Sequence, residues 1–254
     1  MKLVMVVAQY RNMGQLAGFL DSLAGCSVES LDSARLLVVN TDGSHARLTV
    51  PNMETGTVTI SDRPRKYASV MYEKIRIASP WCDGDTIFCN VDPDYSLNSY
   101  ALEVAHEVMR DNPQINYLSL LKEPGMADLT IPRIELSGWR FCMQPSAMGG
   151  AMICRWSHFG PNVQEFFREY GVTGDMPGRA GGFDQEYWRF LTRRAGGNSR
   201  HVAMSDIGWV QHCNTVSNYL ESKGAEGVLS HMYSLDFDPR MNPFEIRKLT
   251  GWKE

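Results

Sequence analysis

Two aspartates, Asp92 and Asp94, stand one residue apart at the end of an apolar run, Thr86-Ile87-Phe88-Cys89-Asn90-Val91. Alternate residues of a strand point the same way. With Pro93 between them in a tight turn, the two carboxylates can converge on one hard cation. Mg2+ in particular is held by one or two carboxylates plus substrate phosphates. The spacing therefore points to a divalent ion gripping a diphosphate at the carboxyl end of a sheet. The other reading is a turn and nothing more, because Asp and Pro favour turns for local reasons.

Such a pair needs a rigid frame, and the hydrophobic pattern supplies one. Leu3 to Ala8 reads as a buried first strand, and Leu16, Phe19, Leu20 and Leu23 then recur at helical spacing. Arg35 to Asn40 is a second strand, running into Thr41-Asp42-Gly43-Ser44, and Val58 to Ser61 a short third. A helix is expected from about Tyr67 to Ala78, through Val70, Met71, Ile75 and Ile77, with Pro80 as its stop. Thr86 to Val91 is the strand beneath the acidic pair. A helix over Asn98 to Arg110 shows Leu102, Ala105 and Met109 on one face, and Tyr117 to Leu121 is a further strand. Strands alternating with helices predict an α/β fold with a mostly parallel central sheet flanked by helices. Ligands of such sheets bind outside the carboxyl ends of the strands. Asp42 and the Asp92/Asp94 pair both fall at such ends.

The second half changes character. Lys122 to Arg140 is expected as a long loop with room for one hairpin, and Met148 to Cys154 is small and apolar. Thr173 to Gly182 is rich in glycine, and Phe183 to Arg194 reads as a helix. Trp209-Val210-Gln211-His212 reads as a short strand that would present His212 rigidly. No internal repeat or linker is evident.

A length of 254 residues, 43% of them hydrophobic, provides for one large domain with a real core. The net charge of -4 gives no global attraction to nucleic acid or anionic membrane. None of Cys26, Cys82, Cys89, Cys142, Cys154 and Cys213 stands in close C-x-x-C spacing. Together with the absence of a signal-peptide pattern at the start, this leads to the expectation of a reducing, cytoplasmic compartment. No stretch approaches the length of a membrane span.

In order along the chain, four segments carry a resemblance: Val6 to Asn12; Asn40-Thr41-Asp42-Gly43-Ser44; Asp92-Pro93-Asp94; and Met148-Gly149-Gly150-Ala151-Met152, with Arg155 just after it. Gly182-Phe183-Asp184-Gln185-Glu186 follows them. The layout resembles a glycosyltransferase of the GT-A fold, closest to the family-2 type. The resemblance implies one catalytic domain over 1–254, with a nucleotide-sugar half over about 1–122. An acceptor half with the C-terminal segment would occupy about 123–254. It places Ala8, Tyr10 and Arg11 in a nucleotide-facing loop, Asp42 on the nucleobase or ribose, and Arg65 or Lys66 near phosphate. Asp92 and Asp94 become the metal motif. Gly149 and Gly150 let the backbone approach the sugar, and Arg179, in a lid over Gly174 to Gly182, reaches the diphosphate. His212 completes the metal site, with His231 as second choice. Asp184 or Glu186 is the general base of an inverting transfer.

Two departures matter. Thr41 stands where the family has an acid. Asp184-Gln185-Glu186 replaces an adjacent Glu-Asp, which leaves the base open between Asp184 and Glu186, and Asp184 can also be read as a helix N-cap. The implied cofactors are Mn2+ or Mg2+ and a nucleotide-sugar donor, most simply UDP-linked. The acceptor is open: a small molecule, a glycan, a protein or a hydroxymethylated base in DNA. The last rests on Arg133, Arg140, Arg155, Arg179, Arg193, Arg194 and Arg200. Trp139, Trp156, Trp188 and Trp209 are expected mostly in the core, with a sugar-stacking platform as the other use. Two competing functions remain. One is a nucleotidyltransferase, although the segment from Ala8 to Gly14 lacks the glycine-rich cradle this would need. The other is a binding module without turnover.

Overall fold

The computed structural model describes residues 1–9, 13–40, 48–60, 67–93, 95–119, 133–143, 151–171, 183–194, 202–205 and 210–212. Its strands are β1 (Lys2–Gln9), β2 (Ser33–Asn40), β3 (Glu54–Thr59), β4 (Thr86–Val91), β5 (Tyr95–Leu97), β6 (Tyr117–Ser119), β7 (Arg133–Leu136), β8 (Trp139–Met143), β9 (Ala151–Arg155), β10 (Val202–Ser205) and β11 (Val210–His212). Its helices are α1 (Met13–Ala24), α2 (Tyr67–Ala78), α3 (Ala101–Asp111), α4 (Trp156–Tyr170) and α5 (Phe183–Arg194), with a 3-10 turn over Ser79–Trp81 after α2.

The near-continuous apolar runs of β1, β2 and β4 are the signature of strands buried on both faces, and each sits inside the main sheet. The sheet order is β3-β2-β1-β4-β9-β6-β10-β8-β7. β1, β2, β3, β4, β6, β7 and β10 run one way, and β8 and β9 the other. The expectation of a mostly parallel sheet flanked by helices holds, with two antiparallel strands inserted in the second half. A separate two-stranded ribbon pairs β11 with β5.

Side-chain alternation splits the core between the two faces. Leu3, Met5 and Val7 of β1 join α1 and α3 through Leu16, Phe19, Leu102 and Met109. Val4 and Val6 join α2, α4 and α5 through Met71, Ile75, Phe159, Phe166 and Tyr187. Trp139, Trp156 and Trp188 are buried in these clusters, as core residues rather than a sugar platform.

Three local differences from the sequence reading have physical causes. Helix α3 starts at Ala101, not Asn98, because Asn98 folds a local turn. Its side-chain carbonyl accepts the Tyr100 N–H (2.9 Å) and its backbone carbonyl accepts the Ala101 N–H (2.9 Å). Strand β3 starts four residues before the predicted Val58; at the sheet edge it is only partly covered, so its run lacks apolar alternation. Helix α4 was missed because Gly160 and Pro161 interrupt it, although Phe159, Val163, Phe166 and Phe167 form a helical stripe. Gly160 is there for space: a Cβ would lie 2.7 Å from Trp156 Cε2. Among the described residues, no helix is long and apolar enough to cross a membrane.

Candidate functional site

The carboxyl end of β4 carries the first chemistry. Phe88 and Asn90 face the side covered by α2, α4 and α5, while Ile87, Cys89 and Val91 face the other. Ladder pairing stops at Val91. The Asp92 carbonyl then accepts the Tyr95 N–H (3.3 Å), closing a four-residue turn through Pro93. A turn follows the strand, and the Asp92 side chain is 30% exposed at the end of the sheet. Asp94 lies outside the described residues.

The turn feeds directly into β5, and β5 pairs with β11 in antiparallel register: Leu97 with Val210, Ser96 with Gln211, Tyr95 with His212. Facing Cα atoms in such a pair lie about 4.5–5.5 Å apart. The backbone of His212 therefore stands opposite the residue next to Asp94 in sequence, across 116 residues of intervening chain. Among the described residues, no group of three His, Cys, Asp or Glu converges as a metal would require; Asp94 and the His212 side chain are not among them. Carboxylates are the ligands that suit Mn2+ or Mg2+.

Behind Asp92 stands a residue that sequence reasoning passed over. Lys74 of α2 is 0% exposed. Its Nζ donates to Asn90 Oδ1 (2.8 Å), to Asp92 Oδ1 (3.3 Å) and, more weakly, to the Val91 carbonyl (3.4 Å). The signal was present: Lys74 falls three residues after Met71 and four before Ala78, inside the stripe that α2 buries. Further buried polar residues end the neighbouring apolar strands. Gln9 ends β1 and Asn40 ends β2, in register with one another. Asn90 and Ser119 flank Met152 from either side. A row of amides and a hydroxyl thus caps the carboxyl edge of the sheet, where the ligands of α/β sheets bind.

Helix α5 carries the two candidate bases. It begins at Phe183, which puts Asp184 in its first turn. Glu186 is 6% exposed, and its carboxylate accepts from the Arg189 guanidinium one turn on. The next residue, Tyr187, ties α5 to the sheet. Its hydroxyl shares a hydrogen bond with the Tyr117 hydroxyl (2.8 Å), which also bonds His158 Nδ1 (3.0 Å). Burial pushes both phenols well above their usual range, so both stay protonated.

Of the remaining expected residues, Ala8 lies in β1, in register with Val39. Tyr10, Arg11, Asp42, Arg65, Lys66, Gly149, Gly150, Arg179 and His231 lie outside the described residues. Ala151, the residue after Gly150, pairs with Val91, the residue before Asp92. Arg155, just after the Gly149-Gly150 segment, lies away from the acidic turn. Because β9 runs antiparallel to β4, Arg155 pairs with Ile87, at the opposite end of β4 from Asp92. There its guanidinium donates to the carbonyls of Ile115 (3.0 Å), Asn112 (3.3 Å) and Met109, closing the end of α3. Arg193 and Arg194 are also engaged, with Glu169 (3.9 Å) and Glu165. Of the arginines that kept a DNA acceptor open, Arg155 is thus committed within the protein, while Arg193 and Arg194 stand in exposed ion pairs.

No family model matches the sequence, and no curated protein matches it. Solved structures do share its fold. S. aureus TarS 1-349 aligns with a TM-score of 0.58 at 14% identity, over 98% of this chain and 69% of that one. The same protein in complex with UDP-GlcNAc aligns with a TM-score of 0.59 at 12% identity, over 98% and 70%. The mannosyltransferase PcManGT from Pyrobaculum calidifontis, in complex with GDP-Man and Mn2+, aligns with a TM-score of 0.50 at 15% identity, over 98% and 78%. This chain shares the fold of these proteins, one of them a mannosyltransferase, along essentially its whole length.

Proposed function

We propose that this protein is a metal-dependent glycosyltransferase that moves a sugar from a nucleotide-sugar donor, UDP-linked in the simplest case, to an acceptor hydroxyl with inversion. The observation that carries the reading is the register of β11 on β5. It sets the backbone of His212 opposite Tyr95, three residues after Asp92 in the turn that follows β4. The register supports the reading because it brings the backbone of His212, expected from the sequence as a ligand, opposite the residue that follows Asp94 in the chain. Two proteins of this fold support the donor class, one solved with UDP-GlcNAc and one with GDP-Man and Mn2+.

In this reading Asp94 and His212 hold Mn2+ or Mg2+, and Asp92 serves the ribose or a metal-bound water. The ion, when bound, acts as a Lewis acid that stabilises the leaving diphosphate. The protein's own residues do the rest. Gly149 and Gly150 leave room for the sugar, Arg179 adds charge to the diphosphate, and Asp184 accepts the proton of the acceptor hydroxyl. Asp184 is preferred to Glu186 because the Glu186 carboxylate is buried and already engaged by Arg189.

The test of the base is Asp184→Asn, which conserves shape and removes the proton acceptor. Donor affinity is expected to stay near that of the wild type while turnover falls by about a hundredfold or more. Retained turnover in Asp184→Asn with loss in Glu186→Gln reverses the two roles. Retained turnover in both, with a retained anomer by NMR, contradicts the inverting reading.

A further inference from the structure

A lysine with 0% exposure at a core position of α2 needs a reason. An apolar side chain of similar length would fill the space among Met71, Ile75 and Ala78 without stripping water from a charge. Replacing a buried ion pair by well-packed apolar residues is often neutral or stabilising. Stability is therefore a poor account of Lys74. Its three N–H donors meet three acceptors, all from the last turn of chain leading into the acidic motif: Asn90 Oδ1, the Val91 carbonyl and Asp92 Oδ1. Asn90 is itself fully buried and fixed in the β4 ladder, so it locates the ammonium, and the ammonium locates Asp92. The Lys74 stem comes from a helix packed on the sheet, not from a loop, so the grip is rigid.

We infer that Lys74 is a positioning residue for the donor: it holds the Asp92 carboxylate by Oδ1 and turns it toward the nucleotide, leaving the metal to Asp94 and His212. The inference rests on the functional reading above and divides the two aspartates of the motif by role. A carboxylate already sharing an oxygen with a buried ammonium is a poor partner for a second cation at that oxygen, because like charges brought together repel. The same carboxylate remains a good acceptor for a neutral hydroxyl. The arrangement therefore favours a ribose hydroxyl over the ion as the ligand of Asp92.

The experiment measures two affinities on Lys74→Met, Asp92→Asn and the double variant: UDP in the presence of Mn2+ by calorimetry, and Mn2+ alone by electron paramagnetic resonance. Lys74→Met is expected to weaken UDP binding by about tenfold or more, the scale of a lost charge-assisted interaction, and to leave Mn2+ affinity unchanged or tighter. In the double variant UDP affinity is expected to be no lower than in Asp92→Asn alone, because the lysine acts through that carboxylate. Lys74→Gln serves the same comparison if the methionine variant does not fold. A purely structural lysine would lower the melting temperature, leave UDP affinity of the folded protein intact and give additive effects; that result overturns the inference. Loss of Mn2+ affinity in Lys74→Met overturns it as well. Wild-type protein that binds no nucleotide overturns the functional reading itself, a distinguishable failure.

Discussion

Arg155→Met separates a structural arginine from one that serves a sugar. The guanidinium holds three carbonyls, those of Met109, Asn112 and Ile115, at the end of α3. Burial holds its pKa below the usual guanidinium value, yet it stays charged at neutral pH. The methionine keeps much of the stem volume and deletes every donor. A hydrogen bond to a charged group contributes about 1.5–3 kcal/mol. The side chain is only half-buried, so water reaches part of what is exposed, and a total loss of about 2–4 kcal/mol is the reasonable scale for three such bonds. For a chain of this size each kcal/mol moves the melting temperature by about 2–4 °C, so a drop of roughly 5–15 °C is expected by calorimetry. UDP affinity and turnover per folded molecule should not change, since Arg155 pairs with Ile87 at the far end of β4 from Asp92. An unchanged melting temperature together with lost donor or acceptor binding would refute the reasoning and place Arg155 at the site.

Two further outcomes follow from the same kind of accounting. Tyr187→Phe deletes one hydroxyl from the Tyr187–Tyr117–His158 chain and should cost about 0.5–1.5 kcal/mol in urea unfolding; Tyr117→Phe deletes two bonds and should cost more, and the double variant little beyond Tyr117→Phe. Additive losses would mean the hydroxyls do not form one network. His106 of α3 is 5% exposed, and burial, with the N-terminal ammonium and Arg110 adding to it, holds its pKa below 6.5. The unfolded chain therefore takes up this proton first, so the contribution of His106 is complete above pH 6.5 and lost as pH falls toward the lower folded value. The melting temperature of His106→Gln should fall less than that of the wild type between pH 7 and pH 5; equal slopes would contradict the assignment.

How much was legible in the sequence follows from which forces act locally. The strands β1, β2 and β4 and the helices α1, α2 and α5 were readable because apolar periodicity is a local signal. Helix α4 was not, because Gly160 and Pro161 mask its stripe and their tolerance depends on Trp156 and the sheet beneath. The insertion of β9 between β4 and β6 was equally hidden, since strand order is fixed by long-range pairing. At the candidate site, Asp92 stood out in the sequence because its motif is contiguous. Lys74 was overlooked because a single lysine in a helical pattern reads as solvated until the helix face is known. The distance of Arg155 from Asp92 was not legible, because spacing does not reveal strand direction.

The central claim is a nucleotide-sugar donor held through a metal at the end of β4. The most direct measurement is nucleoside diphosphate release from a panel of UDP- and GDP-sugars, without added acceptor, followed by 31P NMR for wild type and Asp94→Ala. The account expects slow release of one nucleoside diphosphate by the wild type with Mn2+ or Mg2+, abolished by EDTA and absent in Asp94→Ala. Release that persists in EDTA and in Asp94→Ala, or no release and no binding with any donor in the panel, would contradict it.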